Sequence, residues 1–530
     1  MNVQRLLVSS SNLLFSEFRD LRCLSHRPRS IRSISQHDMT QSWSLHDLQN
    51  DSTRVESQLR DAGLGDADNI EAKVALYAQA AAALVHLTGE DNRRQNAAAF
   101  WVPGRVELAG KHTDYAGGWS LLAATPRGFC VVVNARDDAE CRVVTLDSSV
   151  PPDDRVAHIS LAGDGPLLCG IDGVSSGHWS RYARVCLARL GNNFKPHLGQ
   201  KLRGVDLALG CDLPVASGMS TSSALICALF LAFDFANDLR ASPAFLRLLP
   251  DDASLVEYLG CCENGKDFGD REAHAAGTGP WLQGNGGVGT FGGSEDHAAI
   301  MTCRANTVHV YRFCPTRCMA TVEVAPGVAL VVGSSGVVAA KTGGAMARYN
   351  TAASDAARVA AALGFATMGE GLRLLGAAGC RDRLASLLVC RLDAGIAGLD
   401  AAQAGADLRR FRQFELETDV VVPGLAEALG AGDGGRGGRL MDESHARGAE
   451  ALTNLVEATG WLARRAKAIG ASGATAFGAG FGGSVVALVP AADAARFAAA
   501  WERDYGAAFP ENRERAVFFA MRPGPGASRI

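Results

Sequence analysis

Apolar and polar positions along the chain follow two periods, one helical and one strand-like. Residues 69–90, "NIEAKVALYAQAAAALVHLTGE", repeat apolar positions at helical spacing and predict an amphipathic helix. Short apolar runs predict strands at "AAAFWVPG" (97–104), at 129–134, at 141–147 and at "LRGVDLAL" (202–209), with a helix over 178–190. The last of these strands runs into "CDLPVASGMSTSSALICALFLAF" (211–233), a small-residue turn followed by a long apolar helix. Near the other end, "GATAFGAGFGGSVVALVP" (473–490) predicts two strands joined by a Gly-rich turn. The helix "AADAARFAAAWERDYGAAF" and the strand "RAVFFAMRP" complete a β-β-α-β unit. Between these segments, "LGAGDGGRGGR" (429–439) reads as a mobile loop.

Composition narrows the function classes. A chain of 530 residues with 47% hydrophobic content buries an enzyme-sized core in two or more domains. Its net charge of −4, with no basic block, gives no electrostatic footprint for nucleic acid. The longest apolar run is interrupted by Asp234 and falls short of a bilayer span, so no membrane partner is expected. The 14 cysteines are scattered through apolar runs without metal-type spacing, which predicts buried free thiols in a reducing, cytoplasmic setting. Residues 1–38 stand apart, with six Arg and three acidic residues. They read as a transit-like extension or as sequence translated upstream of a start at Met39.

Three Gly-rich segments carry candidate chemistry. The first, "VPGRVELAGKHTDYAGGWSL" (102–121), crowds Arg, Glu, Lys, His, Asp and Tyr between two strand-like runs, so its side chains are anchored at a sheet edge. The second opens a helix. Unpaired N–H groups and the positive end of the dipole lie there, and a Gly/Ser/Thr turn lets a phosphate approach them; an ordinary Ser-rich helix cap has the same composition. The third, "GAGFGG", is a permissive hairpin turn and not a dinucleotide fingerprint, because a strand follows it.

Taken in order, the three segments resemble the GHMP kinase superfamily and, within it, the galactokinases. The first is similar to "PGRVNLIGEHTDYNGG", the second to "LPxGxGLSSSAS" and the third to "GAxxxGAGFGGCVVAL". "FGGSEDHAAI" (291–300) and "GRLMDESH" (438–445) are further, weaker matches. The resemblance implies a two-domain α+β fold with the active site in the cleft between an N-terminal half (39–325) and a C-terminal half (326–530). It also implies a galactokinase that uses ATP and Mg2+ to phosphorylate the anomeric hydroxyl of a small sugar. A kinase of a uronate, arabinose or heptose, or a sugar- and ATP-binding regulator without catalysis, are the alternatives.

The same resemblance assigns Asp296 as catalytic base and Arg105 as the cation beside it. Gly218, Ser220, Thr221, Ser222, Gly480 and Gly482 fall to the nucleotide, and Ser222 with Glu263 to the metal. His112, Asp114 and Tyr349 fall to the sugar. Lys111 stands where galactokinases carry Glu, at the end of the sugar near C6. An ammonium there points to an anionic sugar, or else to a neutral hydroxyl or a pairing with Glu107.

Overall fold

A computed structural model describes residues 42–530 apart from 66–68, 164, 176–177, 199–200, 216, 338–343, 394–400 and 481. The expectation for residues 1–38 lies outside the described residues. The strands are β1 (Asn96–Ala109), β2 (Trp119–Ala135), β3 (Glu140–Thr145), β4 (Val156–Ser160), β5 (Val205–Cys211), β6 (Thr307–Arg312), β7 (Arg317–Glu323), β8 (Val328–Ser334), β9 (Gly473–Phe477), β10 (Ser484–Pro490) and β11 (Val517–Met521). The helices that matter for the site are α1 (Ile70–Thr88), α2 (Ser180–Leu198), α3 (Thr221–Asn237), α4 (Asp252–Asn264), α5 (Glu295–Thr302), α6 (Gly344–Leu363), α7 (Met368–Asp393), α8 (Ala401–Leu416), α9 (Val422–Ala431), α10 (Gly434–Leu452), α11 (Glu457–Ala468) and α12 (Ala494–Ala508).

The larger sheet runs β1-β2-β5-β3-β4, antiparallel except for the parallel pair β3 and β5, and β6 and β7 extend it from the first part of β2. Ser528–Arg529 returns to pair with β1, and the Ile530 carbonyl accepts from the indole of Trp43 at 2.7 Å. The smaller sheet is β9-β10-β8-β11, wholly antiparallel. β1 and β2 are buried on both faces, which is why they read as continuous apolar runs and not as alternating ones. One face packs on α1 through Tyr77, Leu84, Trp101 and Val132. The other packs on α3 and α4, with Phe230, Tyr258 and Leu259 in its core. Val106, Leu121 and Val310 of the large sheet share a third core with Leu330, Val486 and Leu488 of the small one. The two halves are therefore bound across a buried apolar seam, and the Gly-rich turns lie along it.

The structure corrects the reading of residues 429–439. They are not a loop: Gly432, at φ 71°, ends α9, and Asp433 caps α10 by accepting from the Arg436 N–H at 2.8 Å. The glycines serve close packing, because α10 lies along the open edge of β9. A Cβ at Gly438 would stand 2.0 Å from the Ser472 carbonyl oxygen. The same helix caps that edge with side chains. Asp442 accepts from the Ala474 N–H at 3.1 Å and His445 from the Ala476 N–H at 3.2 Å. Burial, with Lys111 nearby, lowers the His445 imidazole to about 4, so the ring stays neutral and can accept. Elsewhere Ala is worth about 1 kcal/mol over Gly in a helix, but a backbone clash of this size costs about 1–3 kcal/mol or more. Gly438→Ala is expected to be destabilising in urea titration.

Candidate functional site

Arg105 and Glu107 lie on β1 itself and not in the loop that follows it. Pro103 cannot donate to the ladder, and the β1–β2 register shifts between Pro103 and Arg105. That irregularity lets the Arg105 N–H reach the Met219 carbonyl at 3.1 Å, while Nη1 reaches the Gly218 carbonyl at 2.5 Å. The first segment is thus fastened to the second. The third closes on both: the Gly478 N–H donates to Glu107 Oε2 at 3.2 Å and Ser484 Oγ to the Ser217 carbonyl at 2.7 Å. Three turns separated by more than a hundred residues meet at one place.

Asp296 sits in the first turn of α5. Its Oδ1 is 2.7 Å from Arg105 Nη2, and its Oδ2 is 3.1 Å from Ser223 Oγ. Ser223, near the start of α3, also donates to Glu263 Oε2 at 2.7 Å. Ser223 thus joins Glu263 and Asp296, one position beyond Ser222, the residue assigned to the metal from the sequence. Ser220 begins α3 in a left-handed conformation and makes no side-chain capping bond. The segment between Glu263 and Asp296 folds as a closed excursion, with Phe268–Gly269 paired to Trp281–Leu282 and the Val288 N–H returning to the Glu263 carbonyl at 2.9 Å. This excursion leaves the two carboxylates close enough for Ser223 Oγ to reach both.

The residues assigned to the sugar gather on the turn that precedes Asp296. A Cβ at Gly293 would fall 2.3 Å from Asp114 Oδ2, so the glycine makes room for that carboxylate. The His112 and Tyr349 rings are 5.5 Å apart, centre to centre. Burial, with Arg410 beside it, lowers the His112 imidazole to about 3, which leaves it neutral. Both its nitrogens have protein partners, Tyr115 Oη at 2.8 Å and Asn454 Nδ2 at 3.3 Å. Lys111 faces protein groups: its Nζ donates to Ser444 Oγ at 2.9 Å, that hydroxyl donates to Glu417 Oε1 at 2.6 Å, and its charge also acts on Glu107. The ammonium is held inside the protein by residues of the C-terminal half.

Sequence reasoning left Glu295 and Ser223 out of the site. Glu295 is buried, accepts from Ser120 Oγ at 3.0 Å and lies 3.7 Å from Arg105. Burial, then Glu107 and Asp114, pushes its carboxyl well up. Glu107 was legible as a partner for Lys111, since it shares a strand face with Arg105 at period two.

Comparison with known proteins bears on the family. The galactokinase galactose-binding signature matches residues 87–135, and the GHMP kinase C-terminal family matches residues 425–508. A galactokinase of Roseiflexus sp. (strain RS-1) is 28% identical over 432 residues, which are 81% of this chain and 92% of that one. These matches support a galactokinase-like GHMP kinase. A crystal structure of Lactococcus lactis galactokinase complexed with galactose superposes with a TM-score of 0.61 at 20% identity, over 85% of this chain and 99% of that one, and so shares its fold. The first family match spans Arg105 to Asp114, and the second spans Ser444 and the β9–β10 turn. Glu263 and Asp296 lie between the two matches and rest on geometry. No helix among the described residues is long and apolar enough to cross a membrane. The cysteines seen are free thiols, mostly buried.

Proposed function

We propose that the protein transfers the γ-phosphoryl group of ATP to the anomeric hydroxyl of galactose. The observation that carries this reading is the Arg105–Asp296 pair, 2.7 Å apart, set between the start of α3 and the turn that holds Asp114. Asp296 accepts the proton of the attacking hydroxyl, and Arg105 offsets charge as the phosphoryl group passes. Phosphoryl transfer asks little else of a protein than position and charge. Gly218, Ser220, Thr221 and Ser222 hold phosphates at the start of α3, with Gly480 and Gly482 closing over the nucleotide. Asp114, His112 and Tyr349 shape the sugar side.

Glu263, Ser223 and Asp296 present hard oxygens on one side of the phosphate turn, a partial shell that suits a magnesium ion arriving with nucleotide phosphates. Such an ion neutralises phosphate charge when bound. Glu263 Oε2 also lies 3.1 Å from His297 Nε2. Ser223→Ala is expected to raise the magnesium concentration needed for half-maximal rate, and Ser222→Ala to raise it less. Titrating Mg2+ at saturating ATP compares them; equal shifts would return the metal role to Ser222.

The uronate alternative loses its motive once Lys111 is paired with Ser444 and Glu417, which leaves galactose as the substrate the reading favours. ADP release that depends on added galactose, followed in a coupled assay, tests the proposal. ATP and sugar binding without turnover would favour the regulator instead.

A further inference from the structure

One face of the C-terminal half grips the backbone of the first Gly-rich turn. Arg410 and Gln413 lie on α8 at i and i+3, and Glu417 at i+7 begins a π-helical turn, Glu417–Val421. All three are buried, at 3%, 1% and 0% exposure. Each is committed to main-chain atoms of consecutive residues. Glu417 Oε2 accepts from the Gly110 N–H at 2.8 Å, Gln413 Nε2 donates to the Lys111 carbonyl at 3.0 Å, and Arg410 Nη2 donates to the His112 carbonyl at 2.6 Å. The segment they hold is strained. His112 has φ 56°, a left-handed conformation that is costly for a non-glycine residue and persists only where the surroundings impose it. The π turn has a local consequence: its extra residue per turn shifts Glu417 from the α-helical row, and such turns concentrate at functional sites.

We infer that Arg410, Gln413 and Glu417 form a positioning clamp for the sugar-binding turn, and that Lys111 is the clamp's internal counter-ion and not a ligand of the substrate. This rests on the kinase reading of the same site. Lys111 Nζ, Ser444 Oγ and Glu417 make one polarised chain, in which the ammonium donates to the hydroxyl and the hydroxyl to the carboxylate. The carboxylate is left one oxygen for Gly110. Glu417→Gln leaves one acceptor oxygen for two donors, the Ser444 hydroxyl and the Gly110 N–H, so one of the two bonds is lost. Lys111 thereby acts on the sugar through the main chain of its own turn.

The test is a double-mutant cycle on the full-length protein with Lys111→Met, Glu417→Gln and the pair, scored by KM for galactose, KM for ATP and urea unfolding. Each single variant is expected to raise the galactose KM by about tenfold while the ATP KM stays within twofold. The double variant is expected to be no worse than the poorer single, since removing both ends of a coupled chain is less than additive. Gln413→Ala, which leaves Lys111, Ser444 and Glu417 in place and removes the bond to the Lys111 carbonyl together with a partner of Arg410, is expected to raise the galactose KM alone. Additive effects of Lys111→Met and Glu417→Gln would overturn the inference and place Lys111 on the sugar directly. So would an unmoved galactose KM in folded Gln413→Ala and Glu417→Gln. A wild-type protein whose turnover needs no sugar would overturn the kinase reading and the clamp with it, an outcome distinct from failure of the clamp alone.

Discussion

Asp296→Asn is expected to lower kcat by about 10²–10⁴, the usual loss when a general base is removed, with the Kd for ATP little changed. The substitution keeps the shape beside Arg105 and Ser223 and deletes only the proton acceptor and its charge. Glu295→Gln is the control. That carboxyl is sealed against Ser120 and 8% exposed as a residue, so it is expected to retain far more turnover. Single-turnover kinetics with nucleotide binding measured separately distinguish the two carboxylates. Wild-type kcat in Asp296→Asn with a collapse in Glu295→Gln would exchange their roles.

Arg105→Met carries the second large effect, because one guanidinium serves both chemistry and stability. Its Nη2 lies 2.7 Å from Asp296 and 3.7 Å from Glu295, and its Nη1 holds the Gly218 carbonyl. Removing it leaves buried acids facing one another without a cation, which typically costs about 3–5 kcal/mol. It also removes a charge from the transition state, a loss on the order of 10²–10³ in kcat. Arg105→Lys separates the two. It restores most of the stability, since a positive charge remains, but not the rate, since an ammonium cannot reach Asp296 and Gly218 with a fixed fork. Urea unfolding read beside kcat tests this. Full activity in Arg105→Lys would make the residue a structural ion pair only.

The sequence made some of this architecture legible and concealed the rest for physical reasons. Apolar periodicity marked α1, α3 and the β9–β10 hairpin, because those elements are buried on the faces that the pattern exposes. It misread residues 429–439, where glycine signals a loop by propensity yet serves α10 by letting it press on β9; tertiary contact outweighs propensity there. The site residues that belong to a local motif, Arg105 and Asp114 among them, were assigned through the resemblance that the motif carries. Ser223 was not singled out, since a run of four hydroxyl residues, Ser220 to Ser223, does not say which of them reaches Glu263. Glu417, Ser444 and Gln413 lie about three hundred residues from the turn they hold. No local signal connects them, and only the fold brings them to Lys111.

The central claim is phosphoryl transfer to the anomeric oxygen, and 31P NMR of the protein incubated with Mg2+, ATP and galactose tests it most directly. The account predicts loss of the γ-phosphate signal with matching growth of ADP and of a phosphomonoester coupled to the proton on C1. A reaction that leaves ATP intact although galactose and ATP both bind, or that yields an ester coupled to the protons on C6, would contradict it.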